Sequence, residues 1–197
     1  MNNDIIEVTQ SVLAERQNRD RGWWQAWEDG FTSDAFINMS WINDTAAEFV
    51  RRTKALSTDK IWGHHRLSPP TVRVNGNRAI AELPLGIEFR ILVEDVEADL
   101  ASFCRSQYRL EKQDGVWKIA GITSIYEYDT ITPALPGEHL AIKAHDLKQY
   151  RPSYRCLAWY LAIQGNPLTR ELPGDDRPDL TRPIYQAEWA WLNGDNN

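Results

Sequence analysis

Along the first third of the chain the apolar positions recur at helical spacing. Ile5, Val8, Val12 and Leu13 fall on one side of a helix predicted over residues 4–18. The stretch Asp20-Arg21-Gly22 breaks or kinks it, and a short second helix follows with Trp23, Trp24, Trp27 and Phe31 as its apolar set. Residues 35–41 read as a short strand. Asp44 or Thr45 can cap a third helix through Ala46, Phe49, Val50 and Ala55, with Glu48 near the capping-box position.

The period then changes from helical to two. Pro69-Pro70 opens a strand over residues 71–74, and Asn75-Gly76-Asn77 is a hairpin turn, because Asn and Gly tolerate positive φ. Over residues 79–92 the alternation is almost strict. Ala79, Ala81, Leu83, Leu85, Ile87, Phe89 and Ile91 share one face, and Ile80, Glu82, Pro84, Gly86, Glu88 and Arg90 share the other. Pro84 and Gly86 inside so long a strand imply a bulge or bend in a strongly curved sheet. Turns at Glu94-Asp95 and Asp114-Gly115 separate two further strands, over residues 98–110 and 116–128. Three helices ahead of an antiparallel meander make an α+β fold in which the helices cover one face of the sheet.

The remainder is different in character. Pro133, Pro136 and Gly137 form a loop. Helices are predicted over residues 139–150, 153–164 and 183–192, with a polar, Pro-rich loop over 172–178. This stretch is too apolar for a disordered linker. The expected division is a pocket domain over residues 1–132 and a C-terminal helical extension over 133–197, packed on that domain or on a neighbouring subunit.

Composition narrows the function classes. A chain of 197 residues suits one domain with a terminal elaboration. With 42% hydrophobic residues it can bury a core without a metal or disulfide staple. A net charge of -6 and scattered Lys and Arg argue against a nucleic-acid partner. No apolar run approaches the ~20 residues of a membrane helix. Met1-Asn2-Asn3-Asp4 does not open a secretory signal, so a cytoplasmic protein is expected. Cys104 and Cys156 are too few for a disulfide framework or a cysteine-built zinc site, and are expected to be reduced thiols. The nine tryptophans crowd the first third (Trp23, Trp24, Trp27, Trp41, Trp62) and the end (Trp159, Trp189, Trp191), with Trp117 alone between. Such side chains supply bulk for a core, a pocket wall or an interface.

Three local motifs carry a family resemblance. The first is Asp20-Arg21-Gly22-Trp23-Trp24, followed by Phe31, Asp34 and Ala35. The second is His64-His65-Arg66-Leu67-Ser68-Pro69-Pro70, followed by Val72, Val74 and Asn75-Gly76-Asn77-Arg78-Ala79. The third is Tyr108-Arg109-Leu110-Glu111, followed by Asp114-Gly115-Val116-Trp117-Lys118-Ile119. In this order, over roughly residues 4–132, the chain resembles the SnoaL-like branch of the NTF2-like superfamily. Members of that branch include polyketide cyclases, scytalone dehydratase and lindane dehydrochlorinase, together with many proteins that only bind. The resemblance implies a cone of N-terminal helices packed on a strongly curved antiparallel sheet, with one deep, mostly apolar pocket. It also implies a small hydrophobic or aromatic ligand, no cofactor, and a homo-oligomer, dimer or trimer.

In the dehydratase and dehydrochlorinase relatives, an Asp at the end of the first helix pairs with a His that opens the strand after the third. Asp20 falls at the first place and His65 at the second, with His64 as the adjacent register. A carboxylate fixes the tautomer of such a histidine and stabilises its imidazolium, so the resemblance implies that Asp20 orients His65 and His65 moves a proton on a bound molecule. Read by itself, Asp20 is equally suited to N-cap the second helix, and His65 to be an ordinary histidine at a strand start. The dehydrochlorinase-like pattern also has a basic residue in the last strand. Ile122 stands near that place here, so halide elimination is not expected, and Arg66, Arg90 or Arg105 would have to supply the charge.

Trp24, Trp41, His64, Glu88, Tyr108 and Tyr126 are the candidate ligand-binding residues. Glu88 would act as a second acid or base if it pointed inward, although the alternation places it on the more polar face. No metal-ligand spacing, Gly-rich phosphate loop or dinucleotide fingerprint occurs. The reading is a cofactor-independent lyase, isomerase or cyclase. The alternative is a non-catalytic small-molecule binding protein or an accessory subunit on the same fold.

Overall fold

The computed structural model describes residues 2–56 and 63–194; Trp62 lies outside the described residues. The first helix, α1 (Asn2–Arg21), is followed by α2 (Trp24–Glu28), β1 (Phe31–Met39), β2 (Ile42–Thr45) and α3 (Ala46–Leu56). Then come β3 (Gly63–Leu67), β4 (Thr71–Asn75), β5 (Arg78–Val93), β6 (Val96–Gln113) and β7 (Val116–Pro133). The chain continues through α4 (Ala144–Lys148), α5 (Arg155–Ile163) and α6 (Pro178–Asn193).

Helix α1 runs three residues past its predicted end. Gly22 stops it at φ +68, where Gly22 N–H donates to Arg19 O and Trp23 N–H to Asn18 O, the paired closing bonds of a glycine-ended helix. Helix α3 begins as the capping pattern predicts, with Glu48 N–H donating to Thr45 Oγ1 at 3.3 Å. Phe31 belongs to β1, not to the second helix, so that strand starts earlier than predicted. Strand β2 was not legible as an element, having only four residues and no clear alternation, while β3, the strand that the resemblance opens at His65, begins two residues earlier at Gly63.

The strands form one sheet in the order β2-β1-β7-β6-β5-β3, with β4 also paired to β5. All pairings are antiparallel except β1 with β7, which is parallel. The three long strands extend to 16, 18 and 18 residues. Register shifts between Phe103 and Cys104 and between Arg109 and Leu110 bend the β6–β7 ribbon. The alternation on β5 appears as predicted, with Ala79, Ala81, Leu83, Leu85 and Ile91 buried. These join Leu100, Tyr108, Leu110, Ile119 and Ile122 in one core with Val8, Val12, Trp27 and Phe49 from the helices. Each fully buried side chain of this size contributes about 1.5–3 kcal/mol of transfer free energy.

The last third packs on both faces of the sheet. Leu157 N–H, in α5, donates to Asp129, which lies in register with buried Ser102 on the face that α1 covers farther along. Helix α6 lies on the opposite face, where Tyr185 OH donates to Glu82, and Arg109 pairs with Glu188. It begins at Pro178, five residues earlier than predicted, with Pro183 inside it. The helix expected over residues 139–150 shrinks to α4. Leu140 and Ile142 pack on the core from extended chain instead, with exposed neighbours on either side. Between α5 and α6, Pro173 O and Asp175 N–H pair with the backbone of Tyr126 at the edge of β7. Arg170 donates to the Asn38 side chain and to the carbonyls of Met39 and Ile42, tying the same segment to the end of β1. No described helix is long and apolar enough to cross a membrane.

Candidate active site

The inward stripe of α1 changes character along its length. It begins with Val8 and Val12, and the same four-residue step then arrives at Arg16 and Asp20. Glu15 and Arg16 are both buried, each 3% exposed. Arg16 donates from Nε and Nη2 to the two oxygens of Glu15. Glu15 accepts two further bonds, from Trp27 Nε1 at 2.9 Å and from Tyr108 OH at 3.0 Å. A buried charge persists only when it is paired and its remaining lone pairs are satisfied, as they are here. The Arg16 guanidinium also lies 5.8 Å from the centre of the Phe49 ring. Burial and the Glu15 acceptor push the Tyr108 hydroxyl well above its ordinary range, so it stays a donor.

One turn later Asp20 reaches β3. Its Oδ1 lies 2.7 Å from His65 Nδ1, and its Oδ2 accepts the His65 backbone N–H at 2.7 Å. Both carboxylate oxygens therefore hold the same residue. With an acceptor-only carboxylate against it, Nδ1 carries the proton and Nε2 keeps its lone pair. Among the described residues Nε2 makes no hydrogen bond. The His65 side chain is 4% exposed and that of Asp20 12%. Asp20 does not cap the second helix: α2 follows Trp23, with no side-chain cap, and Asp20 sits in the last turn of α1. A carboxylate at a helix C-terminus opposes the helix dipole, and its engagement with His65 offsets that cost.

The electrostatics follow from this packing. Burial, followed by the charges of Arg19 and Arg16, lowers the His65 pKa to about 4, against the opposing pull of Asp20. Burial raises Asp20, but the His65 ring, the His65 N–H and Arg19 together outweigh it and hold the carboxyl below its ordinary value. At neutral pH the pair is thus a carboxylate and a neutral imidazole. Arg19 Nη1 lies 3.4 Å from both Asp20 Oδ1 and His65 Nδ1. Because Nδ1 is itself a donor, the favourable member of that pair of contacts is the carboxylate.

Two glycines set this geometry. Gly22 ends α1 two residues past Asp20, which the helical step from Val12 and Arg16 turns towards β3. Gly63 lies opposite Phe89 on β5, where an added Cβ would stand 2.5 Å from the ring, so only glycine lets β3 close on β5 two residues before His65. His65 pairs with Ile87, on the inward face. His64 pairs with Glu88, is exposed and faces the other way, which removes the register ambiguity between the two histidines.

The other candidates separate. Tyr108 contacts the buried ionic cluster. Trp24 is half-buried, with its ring 5.9 Å from that of Trp27, and Trp41 lies 5.4 Å from Phe49, so both extend an aromatic wall beside the cluster. Tyr126 is buried elsewhere, its hydroxyl accepting Ser40 N–H at 2.8 Å and its ring edge-on to Tyr154. Glu88 does not point inward: it accepts from Arg66 Nε at 3.0 Å on the outer face. Arg90, paired with Asp99, and Arg105, paired with Glu82 and Glu127, stand on that outer face too. None of the three arginines considered from the sequence stands with the dyad. Among the described residues the cations that act on His65 are Arg19 and Arg16. The available signal was the arrival of charged residues where the Val8–Val12 step predicts core positions. Cys104 is buried and its thiol is pushed up to about 11, the state of an inert core cysteine. Among the described residues no three His, Cys, Asp or Glu side chains are grouped to hold a metal.

A curved, unclosed, largely antiparallel sheet with N-terminal helices packed against it is the NTF2-like class of α+β fold. Residues 3–123, more than half of the chain, match the SnoaL-like domain family, and the chain belongs to it. Two curated proteins of Fusarium vanettenii, a PEP2-like protein and pea pathogenicity protein 2, are each 29% identical over 187 residues, covering 90% of this chain and 80% of theirs. Among solved structures, a candidate scytalone dehydratase from Novosphingobium aromaticivorans superposes with a TM-score of 0.54 at 14% identity, covering 72% of this chain and 95% of that one. A type 2 hexachlorocyclohexane dehydrochlorinase gives a TM-score of 0.52 at 13% identity, covering 71% and 93%. At these identities the two structures establish the fold.

Proposed function

We propose that the chain is a cofactor-independent lyase, isomerase or cyclase acting on a small apolar or aromatic molecule, with Asp20 and His65 as its acid–base pair. The observation that carries the reading is the double grip of Asp20 on His65, which leaves one ring nitrogen uncommitted. In the proposed step, His65 Nε2 takes a proton from a carbon beside a carbonyl, or from a position beside a leaving group. Asp20 stabilises the imidazolium that forms, and the proton is then returned to the product or to the departing group. The family membership and the enzymes among the structural neighbours support the class of reaction. The working unit in this reading is a pocket domain over residues 1–132, with residues 133–197 as its cover.

The test is hydrogen–deuterium exchange at the activated carbon of small cyclic and aryl ketones in deuterated buffer, followed by proton NMR. The wild-type protein is expected to accelerate exchange in at least one such ketone, and His65→Gln to abolish the acceleration. Exchange at the uncatalysed rate throughout, or undiminished exchange in the variant, would leave a binding protein.

A further inference from the structure

Arg16 and Arg19 project from the same helix into the same interior, yet only one is fully held. Arg16 is gripped by both oxygens of Glu15. Arg19 has only long contacts, from Nη1 at 3.4 Å, to an Asp20 oxygen that His65 already occupies and to the His65 Nδ1 that is itself a donor. Its Nε is buried and, among the described residues, has no hydrogen-bond partner. A guanidinium presents five donors in a planar fork suited to carboxylate and similar oxygens. A buried N–H without an acceptor costs free energy until one arrives. The aromatic wall of Trp24, Trp27, Phe49 and Trp41 flanks this cluster.

We propose that Arg19 binds the oxygen of the ligand that carries negative charge, and that the site takes a small, flat molecule bearing a carboxylate, a phenolate or an enolisable carbonyl. This rests on the acid–base reading above and narrows its substrate class. If His65 removes a proton beside a carbonyl, the electrons move onto the carbonyl oxygen, and a cation within a few ångströms of the ring stabilises that oxyanion as it forms. Burial and the neighbouring Arg16 bring the Arg19 pKa down to about 10, which leaves it charged at neutral pH. Arg19 Nη1 stands 3.4 Å from Nδ1, at the Asp20 end of the His65 ring, so a molecule at Nε2 meets the fork by spanning the width of the ring, which a flat ligand of aromatic size can do.

The experiment compares benzoate with benzamide, which share a ring but differ in charge. Binding is read by calorimetry, and by NMR of the Arg19 Nε–H and His65 ring nitrogens, in wild-type protein, Arg19→Met and Arg19→Lys. Benzoate is expected to bind the wild type about tenfold or more tightly than benzamide, as a charge-assisted contact requires, and to shift both sets of signals. Arg19→Met is expected to bring the ratio to near unity, and Arg19→Lys to restore part of it. A purely structural Arg19 would lower both affinities together and leave the ratio alone. Equal affinities in the wild type, no binding of either compound at millimolar concentration, or an unchanged ratio in Arg19→Met would each overturn the proposal. An Arg19-dependent preference without any ketone exchange would retain the anion site and remove the catalytic reading, so the two failures are distinct.

Discussion

Asp20 holds His65 by both ends: one carboxylate oxygen is 2.7 Å from the ring Nδ1, and the other is 2.7 Å from the backbone N–H. A ring contact alone would leave the imidazole free to tilt, and a backbone contact alone would leave its tautomer open. Asp20→Asn disrupts this arrangement, because an amide offers one acceptor where the carboxylate offers two. The variant is expected to fold, to contain both His65 tautomers, and to lose about hundredfold or more of any turnover. Circular dichroism and the ketone exchange assay measure the two parts separately.

The depressed pKa of His65 makes stability depend on pH. Between the ordinary value of 6.5 and the folded value of about 4, the unfolded chain takes up a proton at this site and the folded chain does not. Acid therefore favours unfolding over that window. The contribution is complete above 6.5, is lost progressively as pH falls towards about 4, and amounts to about 3 kcal/mol. Urea denaturation at a series of pH values should show this slope in the wild type and a flatter one in His65→Gln.

Glu15 and Arg16 are a buried pair whose members differ in their other partners. Arg16→Met leaves the Glu15 carboxylate to Trp27 and Tyr108 alone, and is expected to cost about 3–5 kcal/mol. Tyr108→Phe removes one of several donors to Glu15 and is expected to cost about 1–3 kcal/mol. Thermal melts of both variants at neutral pH check the order.

Gly63 couples a backbone contact to the chemistry. In Gly63→Ala the added methyl meets the Phe89 ring, so β3 must shift against β5. The variant is expected to lose about 1–3 kcal/mol of stability through overpacking. It should also lose the Asp20–His65 contact, which a change in the His65 NMR signals would report. Gly76→Ala, at a turn where an added Cβ meets nothing within 4 Å, is the control. It is expected to cost only the strain of its positive φ and to leave those signals in place.

Much of the fold was legible because its determinants are local. The alternation over residues 79–92, the Asn75-Gly76-Asn77 turn and the Thr45–Glu48 cap each act within a few residues. β2 was not legible, since the four residues it pairs with β1 are too few to show a period, and the extent of β3 is fixed by its pairing with β5 beyond β4. The 139–150 segment was over-read as helix because Leu140 and Ile142 also fit an extended chain packed on the core. At the candidate site, the pairing of Asp20 with His65 was legible only through the family resemblance, as their local sequence suits a cap and a strand start equally well. Arg66, Arg90 and Arg105 were considered as the nearby charge because sequence alone does not show that they share the outer face. Arg16 lies one four-residue step beyond Val12, where the helical period places a core position, and Arg19 lies past the predicted end of that helix, so neither stands out in the sequence.

The state of the His65 ring in the free protein is the most direct measure of the account. Heteronuclear NMR of histidine-labelled protein reports which ring nitrogen carries the proton and the pH at which the second is taken up. The ring is expected to be neutral at neutral pH, protonated at Nδ1 and bare at Nε2, and to stay neutral until the pH approaches about 4. A ring protonated at Nε2, or one that titrates at an ordinary value near 6.5, would contradict it.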